Sequence, residues 1–452
     1  MGPMRLARRH RRRARAVALA AALALLAAPG RAAAADVIDT VAGSGTGGFG
    51  GDGGPAVAAL LTSPSDVAPT GDGGFLVADA SNHRIRLVTA GGTIITVAGA
   101  GPAVGAPGAF AGDGLAATDP ATRLNGPRGV AALPDGGFLI ADTGNDRIRR
   151  VSPAGVITTV AGGGSIAADG VPATAIALRA PTAVAALPDG GFLIADTGNH
   201  VIRRVDARGI ATRVAGNLTA TSGGFGGDGG PATSATLNGP TDVVPLAGGG
   251  FLIADTGNHR IRRVALDGTI ATVAGGGSTA GFGGDGGRAT AAQLNGPEGV
   301  AVRADGALVI ADTGNERIRE VDAGGAIRTL AGTGTLGLAG DGGPPLAAQL
   351  SHPRGVALAG ARLLIADAFN HRVRAIAPAP ATDPPPPAAP PVPPPPRTVP
   401  PGVAPPLLGR TAVATPVRGR VLIRRPGARA FAPLAGAASV PLGSEVDVRD
   451  GA

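Results

Sequence analysis

The sequence contains no cysteine, tryptophan, tyrosine or lysine, and only ten of its 452 residues are phenylalanine. Without cysteine, the chain has no disulfide framework, no thiolate metal site and no cysteine nucleophile. Without lysine it has neither a P-loop nor a Schiff-base lysine, and no G-x-S-x-G nucleophile elbow occurs. The shortage of aromatic residues removes the stacking platforms that single-strand nucleic-acid binders use.

The formal net charge of +8 is concentrated at the amino terminus. Eight arginines lie in the first 35 residues, which carry no acid, and the remaining chain has 32 arginines against 32 acidic residues. A basic surface for nucleic acid is therefore not indicated, and we expect no nucleic-acid partner.

Residues 1–35 have the pattern of an export signal. A cationic segment, RLARRHRRRAR, precedes thirteen apolar residues from Ala16 to Ala28, which is short for a bilayer span. Small residues at Ala33–Ala35 suit cleavage before Asp36, and an uncleaved membrane anchor is the alternative. No later stretch is apolar enough to span a membrane, so we expect a secreted or cell-envelope protein.

Internal repetition dominates residues 36–377. The motif FLIADTGNHRIRRV, at Phe251 to Val264, has five near-copies, and its Asp recurs at intervals of 63, 54, 59, 57 and 55 residues. Each unit contains, in fixed order, a GPxGVA-like run, GGFLIAD, NHRIRRV and a TVAG-like run. These are short strands bounded by turn residues. Four strands in each of six units predict an all-β, six-bladed β-propeller with four-stranded blades.

The strand composition supports stacked blades. Successive residues of FLIA point to opposite faces, and both faces are apolar, as a strand between two neighbouring blades requires. A two-layer sandwich is the weaker alternative, because it does not explain the regular period. The connections between units, such as Gly224 to Pro240, are about 20 residues long. In that connection Pro231 suits the start of a short helix, and Leu237 is placed to pack on the blade.

The order of the strands predicts how the ring closes. The TVAG-like strand at Val37 to Gly43 precedes any other strand of its own unit, whereas the last unit lacks this strand. We therefore predict that Val37 to Gly43 forms the outer strand of the sixth blade, beside His371 to Ile376.

These motifs, GPxGVA, GxLxIADTGNHRIRxV and TVAGxGxxGFGGDGGPA, resemble NHL repeats of the bacterial form related to the NHL propeller of teneurins. The resemblance covers roughly residues 36 to 377, and the third unit departs from it at Val201 and in a shortened connection. It implies a six-bladed propeller used mainly for binding. Some similar propellers are enzymes, including amidating lyases and gluconolactonase-like hydrolases.

The composition changes after the repeats. Residues 378–409 form a proline-rich segment, interpreted as an extended linker or stalk, with an unstructured tail as the alternative. Residues 410–452 have a β-rich pattern that looks too short for a complete domain.

The charged residues of the repeat are interpreted as structural. Asp and Arg five positions apart flank the turn, so they are expected to pair across it, and Asp196 should find another donor. The expected pairs are Asp79–Arg84, Asp142–Arg147, Asp255–Arg260, Asp312–Arg317 and Asp367–Arg372. His83, His200, His259 and His371 share one repeat position and should lie too far apart to bind a metal. We expect no catalytic residues, no metal and no cofactor.

The connections carry a second set of acids, which we place on one face of the propeller as a binding surface. Its members are Asp52, Asp113, Asp169, Asp228, Asp285 and Asp341. The alternative is that each Asp-Gly-Gly makes a tight turn and caps backbone N–H groups. GGFGGD also matches a calcium-binding nonapeptide, but that motif needs adjacent copies.

Two function classes remain open. The first is a monomeric, exported, non-catalytic scaffold that binds a protein or glycan partner on its loop-bearing face, where the ADTGN turns and the long connections are expected to emerge. The second is a lyase or lactonase-like enzyme with a metal in the central channel. Such an enzyme needs unique acids and histidines on the innermost strands, where only Asp66, Asp242 and Glu298 are acidic and none accompanies a histidine.

Overall fold

The computed structural model describes residues 36–101, 108–218, 223–276 and 279–378, together with short strands between residues 411 and 449. Within these ranges no helix has the length and apolar character needed to cross a membrane. Residues 1–35, predicted to be the signal, and most of the proline-rich segment lie outside the described residues.

Residues 36–378 form six antiparallel sheets, which are the six predicted blades. The first strand is β1 (Asp36–Ala42). Blade 1 contains β2 (Pro64–Pro69), β3 (Phe75–Asp79), β4 (Arg84–Val88) and β5 (Ile94–Ala98), and blade 2 contains β6 (Gly129–Ala132), β7 (Phe138–Asp142), β8 (Arg147–Val151) and β9 (Ile157–Gly162). Blade 3 contains β10 (Val171–Pro172), β11 (Ala183–Ala186), β12 (Phe192–Asp196), β13 (Val201–Val205) and β14 (Ile210–Ala215).

The remaining blades follow the same order. Blade 4 contains β15 (Asp242–Pro245), β16 (Phe251–Asp255), β17 (Arg260–Val264) and β18 (Ile270–Ala274), and blade 5 contains β19 (Gly299–Val302), β20 (Leu308–Asp312), β21 (Arg317–Val321) and β22 (Ile327–Ala331). Blade 6 contains β23 (Pro353–Ala359), β24 (Arg362–Asp367) and β25 (Arg372–Pro378), with β1 as its outer strand. The predicted fold class is therefore confirmed.

Single turns of 3₁₀ helix occur in two places. One follows the second strand of each blade, at Ala80–Asn82, Thr143–Asn145, Thr197–Asn199, Thr256–Asn258, Thr313–Asn315 and Ala368–Asn370. The other lies in the connections, at Ala56–Ala58, Ala173–Ala175, Ala232–Ser234, Ala289–Ala291 and Pro345–Ala347. Pro231 immediately precedes the turn at Ala232–Ser234, as its fixed backbone angle favours.

The core lies between the blades. In β16 all five residues are buried, and the two faces of the strand belong to different clusters. Phe251 and Ile253 pack towards blade 3, whereas Leu252 and Ala254 pack towards blade 5. Leu237 of the connection completes the first of these clusters, as predicted. The apolar character of both strand faces is thus explained by a dry neighbour on each side, and a sandwich is excluded.

The ring is closed by the amino-terminal strand, as the strand order predicts. β1 pairs antiparallel with β25, and Ile38 lies opposite Ile376. The register shifts between Thr40 and Ala42, where β1 contains a bulge. Ile38 and Ala42 are fully buried, so the two ends of the propeller are joined by core contacts as well as by backbone hydrogen bonds.

A separate β-rich unit follows the proline-rich segment. Its strands are β26 (Thr411–Ala414), β27 (Arg420–Arg424), β28 (Ala432–Pro433), β29 (Ala438–Pro441) and β30 (Glu445–Arg449). β26 pairs with β29, and β27 lies between β28 and β30. Whether residues 410–452 are an incomplete module remains a prediction.

Candidate functional site

The repeated turn between the second and third strands is built around a buried aspartate. In blade 4 the Asp255 carboxylate accepts hydrogen bonds from the Asn238 N–H at 2.8 Å and from Asn258 Nδ2 at 2.8 Å. The same arrangement holds Asp79, where burial raises the pKa to about 6, although the N–H of Thr62, the Asn82 amide and Arg86 all favour the charged form. A buried carboxylate of this kind is stabilised in its charged form by a cation that is buried with it.

That cation is not the arginine predicted from the sequence. Asp255 and Arg260 are opposite each other in register, but the ion pair of Asp255 is with Arg262, at 3.4 Å. The side chain of Arg262 is completely buried, whereas that of Arg260 turns outward and donates to the Asn258 carbonyl. The predicted partner is wrong because a buried carboxylate needs a cation that is buried with it. Of the two arginines, only Arg262 has a side chain that enters the blade.

The correction applies to every expected turn pair: Asp79–Arg84, Asp142–Arg147, Asp255–Arg260, Asp312–Arg317 and Asp367–Arg372. The ion pairs that form instead are Asp79–Arg86, Asp142–Arg149, Asp196–Arg203, Asp255–Arg262, Asp312–Arg319 and Asp367–Arg374, at 2.8 to 3.9 Å. Asp196 thus uses the same donor position as the other blades. The sequence contained the signal, since this second arginine is present in all six units whereas the first is absent from the third.

The buried arginine also holds the connection between blades. Arg262 Nη2 donates to the Gly226 carbonyl at 3.1 Å and to Asp228 Oδ1 at 2.6 Å. Equivalent ion pairs at 2.5 or 2.6 Å join Asp52 to Arg86, Asp113 to Arg149, Asp285 to Arg319 and Asp341 to Arg374. In the third unit Asp169 contacts Arg213 instead, at 3.7 Å.

These contacts revise the proposed acidic binding surface of Asp52, Asp113, Asp169, Asp228, Asp285 and Asp341. Asp228 also accepts a hydrogen bond from Thr272 in the outer strand β18, and the next residue, Gly229, donates to the Ile270 carbonyl. Ile270 begins β18 at the end of the blade opposite the Asp255 turn. The acids therefore lie along the outer rim and pair with the propeller's own arginines, so they are not a set of free charges on one face.

The histidines of the repeat join neighbouring blades. His259, which has a left-handed φ of 56°, accepts through Nδ1 a hydrogen bond from the N–H of Gly296 in the entry to blade 5, at 2.9 Å. Equivalent bonds connect His83 to Gly126, His200 to Gly239 and His371 to Ser63. Asp146 and Glu316 occupy this position in the other two blades and accept from the N–H groups of Ala180 and His352.

This inter-blade contact extends the expected turn role of the histidines. Nδ1 can accept only while it is unprotonated. Burial is the main cause that lowers the pKa of His200, His259 and His371 below the usual histidine value. The histidines of different blades occupy separate blade junctions.

The first arginine of the motif forms a surface contact with phenylalanine. The guanidinium of Arg260 lies 3.9 Å from the ring centre of Phe225, and Arg84, Arg147 and Arg317 cover Phe49, Phe110 and Phe282 in the same way. Phe110, Phe225 and Phe282 remain more than 40% exposed. In the third unit Val201 replaces the arginine, and the connection contains no phenylalanine. The two residue types therefore occur together or are absent together in five of the six units.

The central channel narrows where the first strands begin. Asp66 of blade 1 accepts hydrogen bonds from the N–H groups of Val67 and Val130, and Asp242 of blade 4 accepts from Val243 and Val300. Burial raises the pKa of Asp66 to about 7, and the charge of Asp242 adds to this effect. Burial likewise raises the pKa of Asp242 to about 6. The cavity here is small, with a volume of about 30 Å³.

The third acid of the constriction, Glu298, pairs with Arg354 at 3.3 Å. Across the described residues no three His, Cys, Asp or Glu side chains converge in a way that could hold a metal ion. Asp228, from the GGFGGD sequence considered for calcium, pairs with Arg262. The described geometry thus offers hydrogen-bonding and charged side chains at the channel, without an assembled nucleophile and base.

Six antiparallel blades, of which blade 3 has a fifth short strand, define a β-propeller, together with the repeated Asp–Asn turn and closure by the amino-terminal strand. Its repeats are of the NHL type. Family models agree with this assignment: residues 124–150 match the NHL repeat, and residues 277–339 match the teneurin NHL domain. The teneurin resemblance inferred from the repeat motifs is therefore confirmed.

Individual relatives match only in part. Mouse teneurin-4 is 32% identical over 237 residues, which are 46% of this chain and 8% of the teneurin. NHL repeat-containing protein 2 of Gallus gallus is 36% identical over 102 residues, covering 22% of this chain and 14% of that protein. The chain thus matches only a small part of the length of these relatives.

Solved structures share the fold at low sequence identity. A structural genomics protein of unknown function from Bacteroides thetaiotaomicron has a TM-score of 0.55 and 18% identity, covering 76% of each chain. An auxiliary nutrient binding protein from Bacteroides ovatus has a TM-score of 0.54 and 17% identity, covering 76% of this chain and 77% of that one. These similarities establish the architecture alone.

Proposed function

We propose that the chain is an exported, non-catalytic scaffold that binds a protein partner on its loop-bearing face. The observation that carries this proposal is the placement of phenylalanine. The chain has ten phenylalanines and no other aromatic residue except histidine, yet Phe110, Phe225 and Phe282 are exposed beside the repeated turns. Exposed aromatic rings next to arginine are typical of the centres of protein interfaces.

The arginine stacks make these rings suitable for recognition. Arg260 is held by the Asn258 carbonyl and its guanidinium lies over the Phe225 ring, so each side chain restrains the other before a partner arrives. Ordering in advance lowers the entropy lost on binding. The acids of the rim contribute little net charge to this surface because each pairs with an arginine. An apolar and guanidinium-rich surface favours a partner that presents apolar and acidic groups.

Export is the second part of the proposal and rests on the pattern of residues 1–35. Cleavage after Ala35 would leave Asp36, the first residue of β1, as the new amino terminus. Mass spectrometry of the secreted form tests this directly. A form that remains in the membrane fraction with residues 1–35 attached would support the anchor instead.

The binding surface is tested by site-specific photocrosslinking in the native host. A photoreactive residue at Phe225 should capture a partner, whereas one at Leu266, which is 81% exposed in a turn on the opposite face, should not. The purified partner should then bind the Phe225→Ser/Phe282→Ser variant at least about tenfold more weakly than the parent chain. Capture at Leu266 alone would place the partner on the other face and contradict the proposal.

The alternatives give different results. If the ligand is a glycan, the purified propeller would bind to a glycan array with no protein partner present. An enzyme of the lyase or lactonase-like kind would contain stoichiometric metal after purification and would lose it when Asp66 and Asp242 are both changed to Asn. Either result would replace the protein-binding proposal.

A further inference from the structure

A large cavity lies on the face opposite the repeated turns, away from the surface proposed for the protein partner. It has a volume of about 1120 Å³ and opens between blades 1 and 2. Its walls include Leu76 and Leu87 of blade 1 and Phe138 and Val151 of blade 2. The cavity extends to the mouth of the central channel, where Leu187 of blade 3 contributes to the lining. This volume is large enough for a small organic ligand.

The corresponding position in the next two blades is covered by an ion pair. Arg150 of blade 2 pairs with Asp135 in the turn between the first two strands, and Arg204 of blade 3 pairs with Asp189 in the same way. Arg150 lies opposite Leu139, which packs against blade 3, so the pair borders the next inter-blade cleft. In these blades an arginine of the protein itself pairs with the turn aspartate at the border of the cleft.

Blade 1 lacks that arginine. Leu87 occupies the position of Arg150 and lies opposite Leu76, which packs against blade 2. The aspartate of the turn is nevertheless present as Asp72, which is fully exposed and lines the cavity. Asp72 accepts hydrogen bonds from Thr70 and Gly74, which lower the pKa of its carboxyl below the usual value.

Asp72 has no arginine within ion-pairing distance among the residues that the structure describes. Arg362 of blade 6 approaches the same turn but donates to the Gly73 carbonyl, at 3.5 Å. Two smaller residues, Thr70 and Gly71, stand beside Asp72 where blade 2 has Leu133 and Pro134. The first blade thus combines an apolar cleft with a carboxylate that lacks the arginine partner found in blades 2 and 3.

We propose that this cleft binds a small amphipathic cation, with its apolar part between Leu87 and Phe138 and its ammonium or guanidinium group on Asp72. Blades 2 and 3 indicate the required chemistry, because an alkyl chain ending in a guanidinium already occupies the equivalent position there. The single carboxylate matches a single positive charge. Thr70, which lies beside Asp72, also lines the cavity, and its hydroxyl oxygen can accept a remaining N–H group of the ligand.

The proposal is tested with n-hexylguanidine, an alkyl chain that carries the same terminal group as arginine. Binding is measured by isothermal titration calorimetry on the full chain. The contact is located by methyl NMR of Leu76, Leu87 and Leu133. We expect one equivalent to bind and to shift these methyl signals, whereas n-hexanoate and n-hexanol should bind much more weakly or not at all.

Two variants separate the cleft from the charge. Leu87→Arg restores the pattern of blade 2 and should reduce n-hexylguanidine binding at least tenfold, because the new side chain fills the cleft and pairs with Asp72. Asp72→Asn keeps the exposed turn and should weaken binding by roughly three- to tenfold, as expected for an exposed ion pair. The matched control is Asp135→Asn, at a position that does not line the cavity, and it should leave binding unchanged.

Several results would overturn the assignment. Equal binding of n-hexanoate would show that the charge of Asp72 does not select the ligand. Unchanged affinity in Leu87→Arg, with a melting temperature like that of the parent, would place the ligand elsewhere. Binding of an acetyl-Leu-Arg-Leu-amide peptide without binding of n-hexylguanidine would identify a peptide as the occupant and contradict the small-molecule proposal. None of these outcomes depends on the protein partner of the loop-bearing face.

Discussion

The two arginines of one repeat should differ sharply in their effect on stability. Arg262→Met removes the cation that pairs with Asp255, whose side chain is completely buried. It also leaves the carbonyls of Thr236 and Gly226 and the carboxylate of Asp228 without their guanidinium donor. Breaking a buried ion pair by removing one partner costs about 3–5 kcal/mol of unfolding free energy, and we expect a loss in this range.

Arg260→Ala serves as the matched variant from the same strand. It removes one hydrogen bond to the Asn258 carbonyl and the stacking on exposed Phe225. These contacts are partly solvated, so the expected loss is about 1 kcal/mol. Comparing the losses of unfolding free energy in the two variants therefore shows which arginine neutralises the buried Asp255.

A double-mutant cycle gives the decisive measurement. Asp255→Asn is combined in turn with Arg262→Met and with Arg260→Ala, and unfolding by denaturant is followed by far-ultraviolet circular dichroism. Asp255 and Arg262 should show a coupling energy of about 1–3 kcal/mol, whereas Asp255 and Arg260 should be additive within roughly 0.5 kcal/mol. Coupling of Asp255 to Arg260, with none to Arg262, would refute the assignment of the buried pair.

Three further predictions concern the ring as a whole. Deletion of residues 36–42 exposes the edge of β25 and removes the buried side chain of Ile38, so the melting temperature should fall by at least ~5 °C, and an unchanged value would rule out closure by this strand. Asparagine can replace the Nδ1 acceptor without titrating, so His200→Asn/His259→Asn/His371→Asn should match the parent at about pH 8 and exceed its stability at about pH 5. The folded state holds the pKa values of these histidines below those of the unfolded chain, so the parent loses stability as the pH falls through about 6.5. A stability difference between variant and parent that does not depend on pH would disprove this explanation. Asp242 has a raised pKa in the folded state, so it stabilises the parent at acid pH, and this contribution is lost as the pH rises through about 6. Asp242→Asn should remove this pH-dependent contribution. Identical profiles of stability against pH for the variant and the parent would contradict the prediction.

Much of the architecture could be predicted from local patterns alone. The apolar runs of four to six residues, the turn residues between them and the six-fold recurrence of the motif identified every blade. The TVAG-like strand at Val37 to Gly43, which precedes the other strands, identified the two strands that close the ring. The structure confirms this pairing, with Ile38 opposite Ile376. These features depend on the alternation of side chains within a strand and on the backbone preferences of Gly, Pro, Asp and Asn, which act over a few residues.

The partners of the charged side chains were decided by the tertiary structure. Arg260 and Arg262 differ by two positions and both can reach a carboxylate, but only packing determines that Arg262 is buried with Asp255 and also reaches Asp228, 34 residues earlier. In the same way, the hydrogen bond from Gly296 to His259 spans 37 residues and two blades. That Asp72 lacks an arginine partner becomes apparent only when the first blade is superimposed on blades 2 and 3, where the equivalent aspartates form ion pairs. Strand patterns are local, whereas the choice of partner for a buried charge depends on which side chains the folded ring removes from water together.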